Sequence, residues 1–292
     1  MKKALVAIFL LVPFLLIGIF ALDFFLGYEI YADVEYGELE CEVMDIFIPQ
    51  RASKRQTNGC VLLIHGGSWS GGNKKEEELM CRYLASRGYI AATMNYSLYS
   101  AEDDTYSVSV VMDEIDAALE KLVAFAEERG IVIDKAATSG YSAGAHLSML
   151  YSFSRGDGAP VEIVFTANMA GPAEISPELW GDARAVRIGE MLSGREITDE
   201  MIDNGEAEKI LESISPTSYV NSNTPPSIFA YGGKDTLVLP ENGEELKNRF
   251  DEAGVKYDYV FFPDSDHALI HNFGKRIVYA GIVIDYCREY FK

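Results

Sequence analysis

Short apolar runs alternate with amphipathic stretches along the chain from about residue 41 to its end. The run from Cys60 to Ile64 (CVLLI) is continuously apolar, as expected of a central parallel strand that is covered on both faces. The same reading predicts strands over residues 42–49, 60–64, 89–94, 133–139, 161–167, 227–231 and 257–262, and helices over residues 74–87, 108–128, 143–153, 241–253 and 272–290. Strands and helices therefore alternate, which predicts an α/β protein with a doubly wound, mostly parallel sheet.

The start of the chain has a different pattern. Two lysines precede an uncharged apolar run from Ala4 to Leu22, and a helix of that length is roughly 28 Å long, close to the ~30 Å hydrocarbon core of a bilayer. No basic residue follows soon after the run, so the rest of the chain should lie outside the cytoplasm. We expect residues 1–27 to be an uncleaved membrane anchor and residues 28–292 to be one domain. A cleaved secretory signal and a buried helix are the alternatives.

Composition limits the classes of protein to which the chain can belong. The sequence has 292 residues, of which 48% are hydrophobic, so the part after the apolar run is long enough for one large domain. Its net charge is −20, from 45 acidic and 25 basic residues. Such a surface repels phosphate backbones, so we expect no nucleic-acid partner. The sequence gives no indication of the oligomeric state.

The chain has four cysteines, which are Cys41, Cys60, Cys81 and Cys287. They form no C-x-x-C pair and lie near no histidine cluster, so we expect no metal site. If the domain lies outside the cell, one or two disulfides can form, although the sequence does not give their connectivity. Packing in the core is the default expectation for each thiol.

The sequence GYSAG places Ser142 in a G-x-S-x-G pattern between a predicted strand and a predicted helix. This pattern is typical of a sharp strand-to-helix turn that exposes a nucleophilic serine in strained backbone geometry. The helix that begins at Ala143 directs its N–H groups and its positive end toward the serine oxygen. We therefore expect Ser142 to be a nucleophile.

The sequence HGGSW follows the apolar strand that ends at Ile64. Glycines allow the backbone to approach a substrate carbonyl closely and to direct N–H groups at its oxygen. We assign oxyanion stabilisation to the backbone N–H groups of Gly67, Ser68 and Ala143. His65 is expected to brace this loop, and Trp69 belongs either to the wall of a cleft or to the core.

Two further residues complete a candidate catalytic triad. Asp235 follows the predicted strand SIFAY, and His267 follows the last predicted strand. Both lie just beyond the carboxyl ends of strands, where ligands bind in open α/β sheets. Asp235 can accept the Nδ1 hydrogen of His267, which then serves as general base toward Ser142. The order serine, aspartate, histidine along the chain is the order typical of the α/β-hydrolase fold.

Other titratable residues lie near these positions in the sequence. His271 is an alternative base, although it falls within the start of the last predicted helix. His146 lies one turn after Ser142 and is expected to be packed within its helix. Asp264 and Asp266 are alternatives to Asp235, but they are too near the base in sequence to reach its far nitrogen easily.

Residues 171–220 have helical character but no pattern of a central strand. Connections in compact domains typically have ~4–6 residues, so this stretch is too long to be a plain connection. We expect it to be a small helical cap inserted over the active site. A peripheral helical excursion without a role in binding is the alternative.

Over roughly residues 40–291 the chain resembles the α/β-hydrolase esterase and lipase superfamily. The strings HGGSWSGGNK, GYSAGAHL, SPTSYV, PPSIFAYGGKDTLV and DHAL resemble bacterial carboxylesterases related to the bifunctional feruloyl and acetyl-xylan esterases. They are also similar to the arylformamidases of kynurenine metabolism. The chain departs from the related hormone-sensitive-lipase-like esterases at Ser68, where that group usually has a third glycine.

The resemblance implies a serine carboxylesterase that hydrolyses short-acyl or carbohydrate-linked esters through an acyl-enzyme on Ser142. Such chemistry needs no metal and no organic cofactor. An arylformamidase or other amidase, or a serine exopeptidase of the same fold, is the alternative enzyme. A binding protein that retains the fold without catalysis is less consistent with the chain, because all three triad residues are present.

Overall fold

The computed structural model describes residues 27–52, 58–102 and 105–292. Within these residues the strands form an eight-stranded sheet in the order β1-β2-β4-β3-β5-β6-β7-β8. The strands are β1 (Tyr28–Glu35), β2 (Val43–Pro49), β3 (Asn58–Ile64), β4 (Ile90–Met94), β5 (Ile133–Tyr141), β6 (Glu162–Met169), β7 (Ser227–Gly232) and β8 (Tyr257–Phe262). The pairs β1–β2 and β2–β4 are antiparallel, and the other five pairs are parallel. The predicted α/β-hydrolase fold with a mostly parallel sheet is confirmed.

Helices cover both faces of the sheet. They are α1 (Glu78–Ser86), α2 (Val108–Glu127), α3 (Ala143–Ser154), α4 (Pro177–Trp180), α5 (Asp182–Ser193), α6 (Asp199–Asp203), α7 (Glu206–Ser213), α8 (Glu241–Ala253) and α9 (Phe273–Tyr290). Leu84 of α1 and Val283 of α9 belong to one buried apolar cluster. Ile115 of α2 and Leu147 of α3 belong to another, which fills the opposite face. The continuous apolar runs of the central strands follow from this coverage on both sides.

The register of the parallel strands aligns their carboxyl ends at one edge. Ile64 pairs with Gly140, Tyr141 pairs with Met169, and the last residues of β7 and β8 pair with each other. The loops that follow these strands therefore emerge side by side. They carry the HGGSW sequence, the GYSAG turn and the predicted triad partners.

Strand β1 was absent from the predicted elements. It pairs antiparallel with β2 at the edge of the sheet, with a register shift between Tyr31 and Val34. Most of its side chains are partly or fully exposed, so its sequence lacks the apolar signal of a covered strand. The predicted helix over residues 74–87 begins instead as a 3-10 turn, Lys74–Glu77, before α1.

The stretch 171–220 contains helices α4 to α7 and a 3-10 turn, Pro216–Tyr219, and no strand. Ser215 joins its two ends, because its hydroxyl accepts a hydrogen bond from the N–H of Ile175 at 2.8 Å. Thr217 likewise donates its N–H to the carbonyl of Ala173 at 3.1 Å. These contacts hold the insertion as a compact unit beside the carboxyl edge of the sheet.

The predicted anchor over residues 1–27 lies almost entirely outside the described residues, which begin at residue 27. Among the helices that the structure describes, none is both long enough and apolar enough to cross a bilayer. All four cysteines are free thiols, three of them buried and Cys41 partly buried, so the disulfides that an extracellular location permits are not formed here.

Candidate active site

Ser142 stands at the sharp turn between β5 and α3. Its backbone has φ 55° and ψ −120°, a strained conformation that lifts the side chain out of both elements. A Cβ at Gly144 would lie 1.9 Å from the carbonyl oxygen of Ile64, and one at Gly140 would lie 2.3 Å from the carbonyl carbon of Gly144. The two glycines of the pattern are therefore required by backbone packing around the serine.

The structure brings Ser142, His267 and Asp235 into one hydrogen-bonded line. The distance from Ser142 Oγ to His267 Nε2 is 2.9 Å, and that from His267 Nδ1 to Asp235 Oδ2 is 2.7 Å. An ionised carboxylate can only accept hydrogen bonds, so His267 Nδ1 carries the ring hydrogen. His267 Nε2 is therefore free to accept the serine proton. This is the arrangement of a nucleophile, a general base and an orienting acid.

The carboxylate of Asp235 is fixed on its other side as well. The residue is 2% exposed, and its Oδ1 accepts backbone hydrogen bonds from Leu237 at 2.8 Å and from Val238 at 3.0 Å. One oxygen is therefore held by two amides while the other faces His267. A carboxylate anchored in this way can orient an imidazole and stabilise the positive charge that a general base acquires during proton transfer.

The loop that carries His267 is tied to the nucleophile turn. The Tyr141 hydroxyl donates to the carbonyl oxygen of His267 at 2.7 Å, and the two rings lie 5.3 Å apart. The alternative base His271 is exposed, and its backbone N–H donates to Ser265. Asp264 is also exposed, and its carboxylate lies 3.5 Å from the Lys234 ammonium. Neither alternative residue joins the hydrogen-bonded line.

The HGGSW loop lies against the serine. A Cβ at Gly66 would lie 3.3 Å from Ser142 Cβ. The loop has positive φ angles of 113° at Gly67 and 53° at Ser68, which the non-glycine residue adopts only under strain. In the part of the chain that the structure describes, the N–H groups of Gly67, Ser68 and Ala143 donate to no backbone carbonyl. These three N–H groups can therefore donate to the oxygen of a bound substrate. Their role as oxyanion donors stays a prediction.

His65 supports this loop from inside the core. It is 1% exposed, and its Nδ1 lies 2.7 Å from the carbonyl oxygen of Gly66. Its ring stacks on Tyr96 at 4.3 Å, and burial lowers the pKa of the imidazole. The contacts are those of a structural histidine.

A comparison with known protein families identifies the family of the chain that carries this site. The sequence profile of the BD-FAE family matches residues 44–250, more than half of the chain. The chain belongs to the BD-FAE family. The resemblance to α/β-hydrolase esterases that the motifs suggested is thereby confirmed, and the protein is a carboxylic ester hydrolase.

The relatives of this BD-FAE protein include both a formamidase and an esterase. It is 23% identical to kynurenine formamidase of Danio rerio over 80% of the chain and 73% of that relative. It is 25% identical to esterase LipQ of Mycobacterium tuberculosis over 81% of the chain, but it spans only 56% of that longer protein. A solved structure, a truncated carbohydrate esterase from gut microbiota, superposes with a TM-score of 0.71 at 18% identity, covering 90% of this chain and 98% of the other.

Two supporting residues of this BD-FAE site were not predicted from the sequence. The first is His146, which was expected only to be packed within its helix. Trp69 donates its Nε1 hydrogen to His146 Nδ1 at 3.2 Å, so the other nitrogen carries the hydrogen and donates to the carbonyl of Ile214 at 2.8 Å. Burial lowers the pKa of His146 to about 4, which keeps the ring neutral. This histidine joins the HGGSW loop, the nucleophile helix and the insertion.

The second is Lys74, at the end of the HGGSWSGGNK string. It is only 4% exposed, and its ammonium binds the carboxylates of Asp33 and Asp45. Burial alone would raise the pKa of Asp45, but hydrogen bonds from Lys74 and Lys75 outweigh burial and lower it. The ion pair fixes the end of the loop to strands β1 and β2. In the sequence, Lys74 is only a lysine that follows two glycines and an asparagine.

Proposed function

We propose that this BD-FAE protein is a serine carboxylesterase that forms an acyl-enzyme on Ser142. The observation that carries the proposal is the line from Ser142 Oγ to His267 Nε2 and from His267 Nδ1 to Asp235, with distances of 2.9 and 2.7 Å. The strained backbone at the serine and the available amides beside it fit the same chemistry.

In the first half of the reaction, Ser142 Oγ attacks the ester carbonyl carbon while His267 Nε2 takes the hydroxyl proton. The amides of Gly67, Ser68 and Ala143 hold the oxyanion that forms. The bond to the alcohol oxygen then breaks, and His267 returns the proton to the leaving alcohol. In the second half, His267 takes a proton from water, the resulting hydroxide attacks the acyl-enzyme, and the acid leaves. Asp235 orients the imidazole throughout.

We further propose short-acyl or carbohydrate-linked esters as substrates, with the insertion as a cap that shapes the site. The likeness to a carbohydrate esterase supports this proposal at the level of fold. The insertion reaches the catalytic loops at two points. Arg184 donates to the carbonyl oxygen of Leu237 at 3.1 Å, next to the amide that holds Asp235, and His146 donates to Ile214.

The decisive experiment compares Ser142→Ala with Ser154→Ala, an exposed serine at the end of the same helix. On p-nitrophenyl acetate the first variant should lose activity by at least about 10⁴-fold, because the nucleophile is gone. The second variant should retain it. Full activity of Ser142→Ala would overturn the proposed mechanism. A panel of acetylated xylan oligosaccharides, feruloyl esters and p-nitrophenyl esters of increasing acyl length then defines the substrate.

A formamidase activity is the second candidate, because the curated kynurenine formamidase matches 80% of the chain. The same triad can cleave an activated amide, since the acyl-enzyme steps are shared. Hydrolysis of N-formylkynurenine with a higher kcat/KM than any ester of the panel would assign the protein to that activity. A ratio in favour of acetyl or feruloyl esters would assign it to the first.

We also propose that residues 1–27 anchor the enzyme to a membrane with the catalytic domain outside the cytoplasm. The apolar run and the two lysines before it support this location. The full chain should stay in the membrane fraction after alkaline carbonate extraction, and an externally added protease should digest the catalytic domain. Release into the soluble fraction, or protection from the protease, would contradict the proposal.

A further inference from the structure

The loop that carries His267 contains a residue with strained backbone geometry. Leu269, two residues after the histidine, has a φ of 55°, although it is a leucine and fully buried. Its N–H closes a turn onto the carbonyl oxygen of Asp266 at 3.1 Å. A bulky side chain adopts this left-handed conformation only where the surrounding structure imposes it. Contacts from outside the loop must therefore hold the backbone next to His267.

Arg276 of helix α9 supplies two of these contacts. Its Nε donates to the carbonyl oxygen of Leu269 at 3.0 Å, and its Nη2 donates to the carbonyl oxygen of Ala268 at 2.8 Å. Hydrogen bonds from a charged donor are stronger than those between neutral groups, and the planar guanidinium fixes the direction of both bonds at once. This side chain therefore orients two consecutive carbonyl groups of the loop.

Tyr141 supplies the third contact. Its hydroxyl donates to the carbonyl oxygen of His267 at 2.7 Å. The carbonyl oxygens of residues 267, 268 and 269 thus all accept hydrogen bonds from side chains of two other elements, β5 and α9. Tyr141 ties the loop to the turn at Ser142, whereas Arg276 ties it to a helix that packs against the sheet.

The position of Arg276 is not explained by its own helix. Arg276 lies in the first turn of α9, which begins at Phe273, and the helix dipole disfavours a cation near the N-terminal end. In the described helix this first turn contains no acidic residue that could pair with the guanidinium. The two hydrogen bonds to the His267 loop account for an arginine at this place.

We propose that Arg276 is a positioning residue that keeps the imidazole of His267 in line between Ser142 and Asp235. This inference rests on the proposed function of these three residues. The line has distances of 2.9 and 2.7 Å, so a shift of the loop lengthens a hydrogen bond on either side of the imidazole. Arg276 acts through the loop backbone and does not touch the substrate, so its loss slows the chemical steps without weakening substrate binding.

The first test compares Arg276→Met with Arg288→Met, which changes an exposed arginine of the same helix. The full chain in detergent micelles hydrolyses p-nitrophenyl acetate. Arg276→Met should lower kcat by about 10- to 100-fold, since a displacement of about 1 Å can cost about 10²-fold, and KM should stay within about threefold. Arg288→Met should keep both constants within about twofold.

A conservative variant keeps the test valid if Arg276→Met does not fold, which thermal unfolding shows. Arg276→Lys keeps the charge and can make one of the two hydrogen bonds, so its kcat should lie between those of the unchanged enzyme and Arg276→Met. A kcat within about twofold of the unchanged enzyme in folded Arg276→Met, or in Arg276→Lys where Met is not tolerated, would overturn the proposal. A rise in KM that accounts for the loss of kcat/KM would also overturn it, because Arg276 would then act in substrate binding.

The second test observes the imidazole directly. The hydrogen on His267 Nδ1 lies in a 2.7 Å hydrogen bond to Asp235, whose carboxylate is buried, and should give a low-field proton resonance. In Arg276→Met this resonance should broaden, because the released loop exposes the hydrogen to exchange with water, whereas Arg288→Met should retain it. A lower kcat with an unaltered resonance would refute the proposal, since the base would still be in place.

The resonance also separates this inference from the proposed function, because it is measured without substrate. Full activity of Ser142→Ala would overturn the proposed mechanism, while the effect of Arg276→Met on the resonance would still report the position of His267. An inactive Ser142→Ala together with an unaltered resonance and kcat in Arg276→Met would overturn the role of Arg276 alone.

Discussion

Replacing Asp235 by asparagine tests the catalytic geometry with almost no change in shape. Oδ1 of Asp235 accepts two backbone amides, from Leu237 and Val238. An asparagine must keep its carbonyl oxygen there, because its NH₂ group has no hydrogen-bond acceptor on that side. The NH₂ group therefore faces His267 Nδ1 in place of Oδ2. Since that group donates, Nδ1 must become an acceptor, and the ring hydrogen moves to Nε2.

The displaced hydrogen then points at Ser142 Oγ, 2.9 Å away, so the histidine can no longer accept the serine proton. In serine hydrolases of another fold this tautomer error costs about 10⁴-fold in kcat, which corresponds to ~5.5 kcal/mol of transition-state stabilisation at ~1.36 kcal/mol per tenfold. We expect a loss of this order for Asp235→Asn, with a much smaller change in KM.

The assay is steady-state hydrolysis of p-nitrophenyl acetate by Asp235→Asn, with Asp264→Asn as the matched control on an exposed acid outside the triad. The control should keep kcat within about twofold, since exposed ion pairs contribute little. Thermal unfolding should show that both variants fold. A loss of less than tenfold in folded Asp235→Asn would refute the argument that this carboxylate sets the tautomer of His267.

Three further predictions concern stability and are measured by thermal and urea-induced unfolding. Lys74→Met should lower the free energy of unfolding by about 3 kcal/mol, because Asp45 stays buried after losing its ion pair with Lys74. An unchanged free energy of unfolding would mean that this ion pair contributes nothing to stability. Gly144→Ala should cost about 3 kcal/mol through the clash with Ile64, whereas Gly281→Ala, whose added Cβ meets nothing within 4 Å, should stabilise α9 by about 1 kcal/mol. Tyr279→Phe should stabilise the enzyme by about 1 kcal/mol, because its buried hydroxyl has no hydrogen-bond partner within normal distance among the described residues; destabilisation would indicate that the hydroxyl donates to a neighbour such as Ser139.

The elements that carry the chemistry were predictable because each is constrained locally. A strand that is covered on both faces must be apolar along its length. The turn at Ser142 needs glycines where neighbouring backbones approach closely. Both features can therefore be recognised from a few consecutive residues. The predicted bounds of β8 (Tyr257–Phe262) and α8 (Glu241–Ala253) match the structure residue for residue. The loops after the strands then converge because the strands are parallel and in register.

The features that were missed depend on partners far away in the chain. Trp69 and His146 are 77 residues apart, and neither residue type alone indicates the other. Lys74 looks like an ordinary surface lysine until strands β1 and β2 place two carboxylates beside it. Strand β1 likewise owes its conformation to pairing with β2, not to a pattern of its own. Contacts between residues so far apart in the chain can be identified only from the folded structure.

If the insertion is the cap that we propose, its contacts couple specificity to chemistry in this enzyme. The insertion has no readable motif, yet it accepts a hydrogen bond from His146, whose ring also fixes Trp69 beside the oxyanion loop. At a second point it donates to Leu237, whose amide holds the carboxylate of the triad. A repacked insertion would therefore move the groups that position the proposed nucleophile and base, as well as the proposed walls of the substrate site. Since displacements of about 1 Å can cost about 10²-fold in rate, changes in this region should lower kcat together with any change in KM, which a cap that only restricted entry would not do.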